Sequence, residues 1–261
     1  MATETVENYL KAIYSLCRQP GADGAGMSRI AAAVGVTTGT ATAMVKRLAA
    51  DRLVRYERFG TVTLSAAGER AAMDILRRHR LVETFLVQTL RLDWTQVHQE
   101  AERLEHALSP VVLEALDRHL GHPTTDPHGD PIPDPQGRIR DTGGGPMSSF
   151  GTGDRLRVLR VTDQGAEYLA FAARHGLRPG AEIEVVSQDE VAQTMVVRGA
   201  NGEELAIGLG AAAKVLCEIR AGGGLSAAGE GERLARSRVQ RSGQRRSSSR
   251  AASEQQGRRR P

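Results

Sequence analysis

Residues 28–65 read SRIAAAVGVTTGTATAMVKRLAADRLVRYERFGTVTLS. The stretch SRIAAAVGV is a short helix with Ser28 as a suitable N-cap, broken at Gly35. TTGTATAMVKRLAADRL then makes a second helix, capped by Thr37 or Thr38. Two short helices joined by a Gly-containing turn, the second rich in Thr and ending in Lys46 and Arg47, describe a helix-turn-helix. The run VRYERFGTVTLS alternates apolar and polar residues around Phe59-Gly60, which predicts a hairpin with basic flanks. Together these make a winged helix. A generic three-helix core would also use small-residue helices, but it has no need of the hydroxyls clustered at Thr37, Thr38, Thr40 and Thr42. Hydroxyls at the start of a recognition helix can bond base edges or phosphates, or touch thymine methyls. Lys46, Arg47, Arg55 and Arg58 would supply phosphate contacts.

On the N-terminal side, VENYLKAIYSLCR places Val6, Tyr9, Leu10, Ile13, Leu16 and Cys17 at helical spacing. On the other side, AAGERAAMDILRRHRLVETFLVQTLRL reads as one long helix carrying His79 and Glu83 at i, i+4. The stretch VHQEAERLEHALSP, residues 97–110, adds His98, Glu102, Glu105 and His106. At about 100° per residue these four point at roughly 0°, 40°, −20° and 80° on a helix. Either set alone suits a solvated polar face as well as a metal site. Two such helices, close in sequence and beside a DNA-binding head, shift the balance toward metal.

ENYLKAIYSL, RRHRLVETFL, VHQEAERLEHALS and DPHGDPIP together resemble the diphtheria toxin repressor family of bacterial metal-dependent regulators, over residues 1 to about 135. The resemblance implies one metal site at Glu102, Glu105 and His106, completed from the first helix at Asn8, and an ancillary site at His79, Glu83 and His98. Iron-responsive members resemble this chain but have cysteine where it has Glu102, whereas a carboxylate there is the pattern of the manganese-responsive branch. Replacing a soft thiolate by hard oxygen favours Mn²⁺. Two positions depart from the pattern. Asn8 stands where manganese-type relatives have Asp and iron-type relatives have Met, and Lys11 stands where some two-domain manganese regulators have an acid. Glu7 or a backbone carbonyl is then a candidate to complete the site.

Pro and Gly forbid long elements in residues 122–149, so His122, Asp126, His128 and Asp130 read as parts of an extended structural crossover rather than as ligands. Residues 150–220 show short alternating strands around one helix, GAEYLAFAARHG, which suits a small β-barrel and resembles, more loosely, the family's SH3-like (FeoA-type) third domain. Glu167 or Asp163 could lend a ligand from there; packing against the other domains is the plainer role. From residue 221 onward ten arginines face three glutamates, a balance of +7, so residues 1–220 sum to −3 of the total +4. This Ser/Gly/Arg-rich tail should be disordered, serving either solubility or attraction to phosphate backbones.

The expected molecule is mainly α with a small β domain. Residues 1–64 form the winged helix-turn-helix and 65–121 the helical metal-binding and dimerisation domain, followed by a linker (122–149), an SH3-like domain (150–220) and a basic tail (221–261). Cys17 and Cys217 are too few and too far apart for a disulfide framework, and the chain has neither the ~20-residue apolar run of a membrane span nor the pattern of a signal peptide. The reading is a cytoplasmic, homodimeric, Mn²⁺-activated repressor on a pseudo-palindromic double-stranded DNA operator, with no membrane and no small-molecule substrate. By resemblance, its targets are metal-uptake genes. Its rivals are an Fe²⁺-activated version of the same machine, a protein that binds DNA without metal, and a metallohydrolase. The last would need a cleft and a nucleophile that the sequence does not offer.

Overall fold

The computed structural model describes residues 3–19, 21–56, 60–140 and 142–220. Helix α1 (Glu4–Cys17) opens with Thr3, whose Oγ1 accepts from the Val6 amide, and carries Glu4 and Glu7 at its positive end. Its apolar stripe of Val6, Leu10 and Ile13 packs with α2 (Met27–Ala33) and α3 (Thr38–Ala50) in one core. Helix α2 starts two residues earlier than the sequence suggested. Gly26, not Ser28, is its N-cap, and no side chain caps it. Gly35, at φ +69°, makes the left-handed turn into α3, and Thr37 is the cap there. Strands β1 (Val54–Tyr56) and β2 (Val62–Leu64) pair antiparallel to form the wing, and a bridge from Ala25 to Val62 fastens it to the helices. The expected turn residue Phe59 lies outside the described residues.

Helix α4 (Ala66–Gln88) is the spine of the molecule, capped by Ser65. Its first half, through Ala72, Met73, Ile75 and Leu76, belongs to the DNA-binding core, and its second half, through Val82 and Leu86, packs on α5 (Val97–Leu104). The chain does not continue as one helix to Pro110. A 3₁₀ turn at Glu105–Ala107 follows, and Ser109 then caps α6 (Pro110–His119). Among the described residues no helix is long and apolar enough to cross a membrane.

The remaining strands form a six-stranded antiparallel sheet. They are β3 (Gly145–Pro146), β4 (Arg155–Val161), β5 (Glu182–Asp189), β6 (Thr194–Gly199), β7 (Glu204–Gly208) and β8 (Val215–Ile219), in the order β3-β8-β4-β5-β6-β7. Strand β4 alternates as the period of two requires, Leu156 and Val158 inward, Arg155 and Arg157 outward. Helices α7 (Ala166–Arg174) and α8 (Leu209–Ala212) contribute Leu169 and Ala212 to the sheet's core. Trp94, from the loop between α4 and α5, inserts into that core and joins the helical part to the sheet. The sheet also takes in Gly145–Pro146, which reads as linker in the sequence. Cys17 and Cys217 are both free thiols.

Candidate metal centre and nucleic-acid face

Helix α3 buries Ala41, Val45 and Leu48. At about 100° per residue its opposite face is led by Gly39, Ala43 and Lys46, with Thr40 and Arg47 beside them. All five are exposed, and two of them are small enough to let the helix approach a surface closely. Thr37, Thr38 and Arg55 are also exposed. The Thr37 hydroxyl accepts from the Thr40 amide, while half-buried Thr42 donates to the Thr38 carbonyl at 2.7 Å, so these two hydroxyls serve the helix first. Arg58 lies outside the described residues.

The metal-ligand candidates gather where α1, α4, α5 and the 3₁₀ turn meet. Among the described residues three groups could hold an ion: His79 with Glu83 and His98, His79 with Glu102 and Glu105, and Glu83 with Asp126 and His128. The first is the ancillary set expected from the sequence. Glu83 Oε1 lies 3.0 Å from His79 Nε2 and 3.1 Å from His98 Nδ1. The second holds a surprise, because Lys11 sits inside it. Its ammonium donates to Glu102 Oε1 at 2.6 Å and to Glu105 Oε2 at 3.1 Å, and it lies 2.9 Å from His79 Nδ1. His79 Nδ1 also contacts Glu105 Oε2. Burial would lower the His79 pKa, but the Glu83 charge and hydrogen bonds to Glu105 and Glu83 outweigh it and push it up to about 9. The imidazolium therefore donates to both carboxylates, and Lys11 donates to Glu102 and Glu105 alone. For Glu102, burial would raise the carboxyl, but the Lys11 ammonium, with the charges of His79 and His98, holds it below the usual range.

Asn8, Glu105 and His106 make the other side of the joint. His106 Nδ1 meets Glu7 Oε2 at 2.6 Å, and His106 Nε2 lies 3.6 Å from Glu105 Oε1. Nδ1 as donor to Glu7 leaves Nε2 with a bare lone pair, the arrangement in which a histidine ligates metal. Both His106 Nε2 and Asn8 Oδ1 are buried without a hydrogen-bond partner. Each could lend its lone pair to a cation, and the Glu7–His106 contact joins the elements that carry them. Glu7, a candidate to replace the acid missing at Asn8, is instead the outer partner of His106 and Arg78. Burial would raise its carboxyl, but those two hydrogen bonds hold it below the usual range. Glu102 and Glu105 thus converge on Lys11 and His79 rather than on Asn8.

A cleft of about 770 Å³ opens beside these groups, lined in part by Lys11, His79, Glu83, His98, Asp130 and Gln164. Gln164, which the sequence reading passed over, donates to Asp130 at 2.6 Å. Asp163 is taken by Lys214 at 2.7 Å, and Glu167 is exposed. The proline-rich segment departs most from expectation. It is no extended crossover at Asp126–Asp130 but a buried turn, with Asp126 Oδ1 accepting from the amides of His128 and Asp130. The pattern DPHGD, an acid two residues before a histidine and another two after it, was the available signal.

Three family models match the chain in succession. Residues 1–62 match the N-terminal DNA binding domain of the iron dependent repressor, 65–134 its metal binding and dimerisation domain, and 145–219 the FeoA domain. The chain is 35% identical to the iron-dependent repressor of Mycobacterium leprae over 158 residues, 60% of this chain and 66% of that one. It is 28% identical to the diphtheria toxin repressor of Corynebacterium diphtheriae over 204 residues, 71% and 86% of the two chains. A solved manganese-dependent transcriptional repressor in complex with manganese superposes with a TM-score of 0.75 at 34% identity, over 82% of this chain and 100% of the other.

Proposed function

From the premise that the chain belongs to the iron-dependent repressor family, whose members are transcriptional repressors and not enzymes, we propose a homodimeric, manganese-activated repressor that acts in the cytoplasm on a pseudo-palindromic DNA operator. The observation that carries the metal dependence is the pair of orphaned donors, Asn8 Oδ1 on α1 and His106 Nε2 on the 3₁₀ turn. Asn8, Glu102, Glu105 and His106 would hold one ion, and His79, Glu83 and His98 are the donors for an ancillary one. A bound ion would cross-link α1 to the 3₁₀ turn. Because α1 shares one core with α2 and α3, that cross-link sets the attitude of the recognition helix. By linkage, metal and operator tighten each other's binding by the same factor.

Manganese is preferred over iron because the donor set is oxygen and imidazole with no sulfur. Iron is the second reading, favoured by the likeness to the iron-dependent repressor of Mycobacterium leprae. Exposed Lys46, Arg47 and Arg55 would contact phosphates, with Thr37, Thr38 and Thr40 nearest the bases. The test is fluorescence anisotropy on the upstream DNA at fixed salt, with chelator, Mn²⁺, and Fe²⁺ without oxygen. Tightening of tenfold or more, about 1.4 kcal/mol, is expected with Mn²⁺. Stronger activation by Fe²⁺ would reassign the metal, and specific binding indifferent to both would end the sensor reading.

A further inference from the structure

Lys11 stands one helical turn after Asn8 on α1, and its ammonium joins three elements at once. The stem leaves α1, and Nζ donates at 2.6 Å to Glu102 Oε1 on α5 and at 3.2 and 3.1 Å to the two oxygens of Glu105 on the 3₁₀ turn. His79 meets Glu105 as well, but it ties α4 to the turn. Of these four side chains only that of Lys11 comes from α1. Glu105 is fully buried and the Lys11 side chain is 14% exposed, so this pair is sheltered from salt as a surface ion pair is not. An ammonium suits the place, since it is a compact charge with three donors that can serve several acceptors at once. Four residues before it, on the same face of α1, Glu7 takes Arg78 of α4 at 2.9 Å and His106 of the 3₁₀ turn at 2.6 Å. Two ties one turn apart fix the direction of a helix, where one would leave a pivot.

Tyr9, Leu10 and Ile13 of α1 lie in the core that α2 and α3 share, so whatever holds α1 also holds the recognition helix. Resting on the repressor reading above, we propose that Lys11 is a tethered cation and a positioning residue for DNA binding. In metal-free protein it ties α1 to α5 and the 3₁₀ turn, as the ion does in the loaded one, and so gives the repressor a basal affinity for its operator. An ion that reaches Glu102 and Glu105 displaces the ammonium. The displaced group has somewhere to go, because its four-carbon stem is flexible and it already lines the cleft of about 770 Å³. Metal then exchanges one cross-link for another. The wild type therefore gains less operator affinity from metal than a chain without this lysine would, and Lys11 sets the contrast between the two states.

The test measures the affinity of the full chain for operator and for unrelated DNA by anisotropy at fixed salt, in chelator and in saturating Mn²⁺. Hydrogen exchange of the α1 amides is followed in parallel without DNA. In chelator the wild type should still prefer operator to unrelated DNA by about tenfold or more. Lys11→Gln in chelator should lose about tenfold in operator affinity, and its α1 amides should exchange about tenfold faster. Saturating Mn²⁺ should return both to within about twofold of the wild type, because the ion supplies the missing cross-link. Glu102→Gln, at the half-exposed rim, should lose about threefold in chelator, which decides the matter if Lys11→Gln does not fold. Unchanged affinity and exchange in chelator would overturn the tether. So would a folded Lys11→Gln whose loss is not restored by Mn²⁺ while the wild type responds to it, since the lysine would then be merely structural. Failure of the sensor reading looks different. The wild type would bind operator equally in chelator and Mn²⁺, whereas Lys11→Gln would still lose affinity in chelator, and the tether would stand.

Discussion

Lys11 places a fixed positive charge between two carboxylates that the proposed metal centre needs. Its ammonium is largely shielded, Glu105 is fully buried and Glu102 is half-exposed. Removing one member of such a cluster strands the other charges in a poor solvent, so Lys11→Gln should destabilise metal-free protein by roughly 2–4 kcal/mol. The same change frees Glu102 and Glu105 and should strengthen Mn²⁺ binding about tenfold, by calorimetry. Unchanged affinity would mean that the carboxylates are not ligands. Alanine at Glu105 or at His106 should abolish metal-stimulated operator binding while leaving the dimer folded, and a preserved response in both variants would dismiss the centre. His79 sets the pH dependence. Its pKa rises from 6.5 to about 9 on folding, so its contribution is full below about pH 6.5 and is lost as pH climbs through 9. In chelator, thermal stability should therefore fall over that range. Added Mn²⁺ should stabilise more at pH 9 than at pH 6.5, because binding displaces protons. A His79→Gln variant with the same pH profile would contradict that attribution.

At the scale of elements, α3 presents two exposed basic residues on the face away from its core. Lys46→Ala and Arg47→Ala should each weaken operator and unrelated DNA alike and lower the slope of log K against log salt by about one, read from anisotropy at several salt concentrations. A loss confined to the operator would make them base readers instead. The helices themselves were legible because α1, α3 and α4 each have a hydroxyl cap followed by an apolar stripe. The joint at Glu105 was less so. Eight residues of α5 tighten into a 3₁₀ turn before Ser109-Pro110, and proline keeps the preceding residue out of the helical region, so the signal was present in the sequence. Periodicity names the residues on a face but not the partner across from it. Nothing in the spacing of α1 could show that the Lys11 ammonium bridges to α5, or that His128 turns inward on Trp94. Those are tertiary facts, set by where α4 and the Asp126 turn are packed.

At the scale of the whole molecule, helix α6 offers, among the described residues, an apolar surface suited to the proposed second copy. Helix α6 buries none of its residues, and Val111 and Val112 are 76% and 46% exposed, with Leu104 nearby in sequence at 45%. Its other side is anchored to α4 by Arg77, which pairs with Asp117 at 2.9 Å. A helix held in place on one side with valines facing water suits a two-fold contact with a second copy, where the same patch meets itself. The symmetry matters to the DNA reading, since two recognition helices on one rigid dimer bind a two-part operator with an effective concentration that neither has alone. Placing a carboxylate at the centre of that contact should separate the copies without touching α1, α3 or the metal donors. Val111→Asp is expected to sediment as a monomer at micromolar concentration, to keep its Mn²⁺ count, and to lose operator affinity by a factor on the order of 10² or more. A variant that stays dimeric would move the interface off α6. A monomer that keeps full operator affinity would instead show that one head suffices, and the two-fold operator would have to be given up.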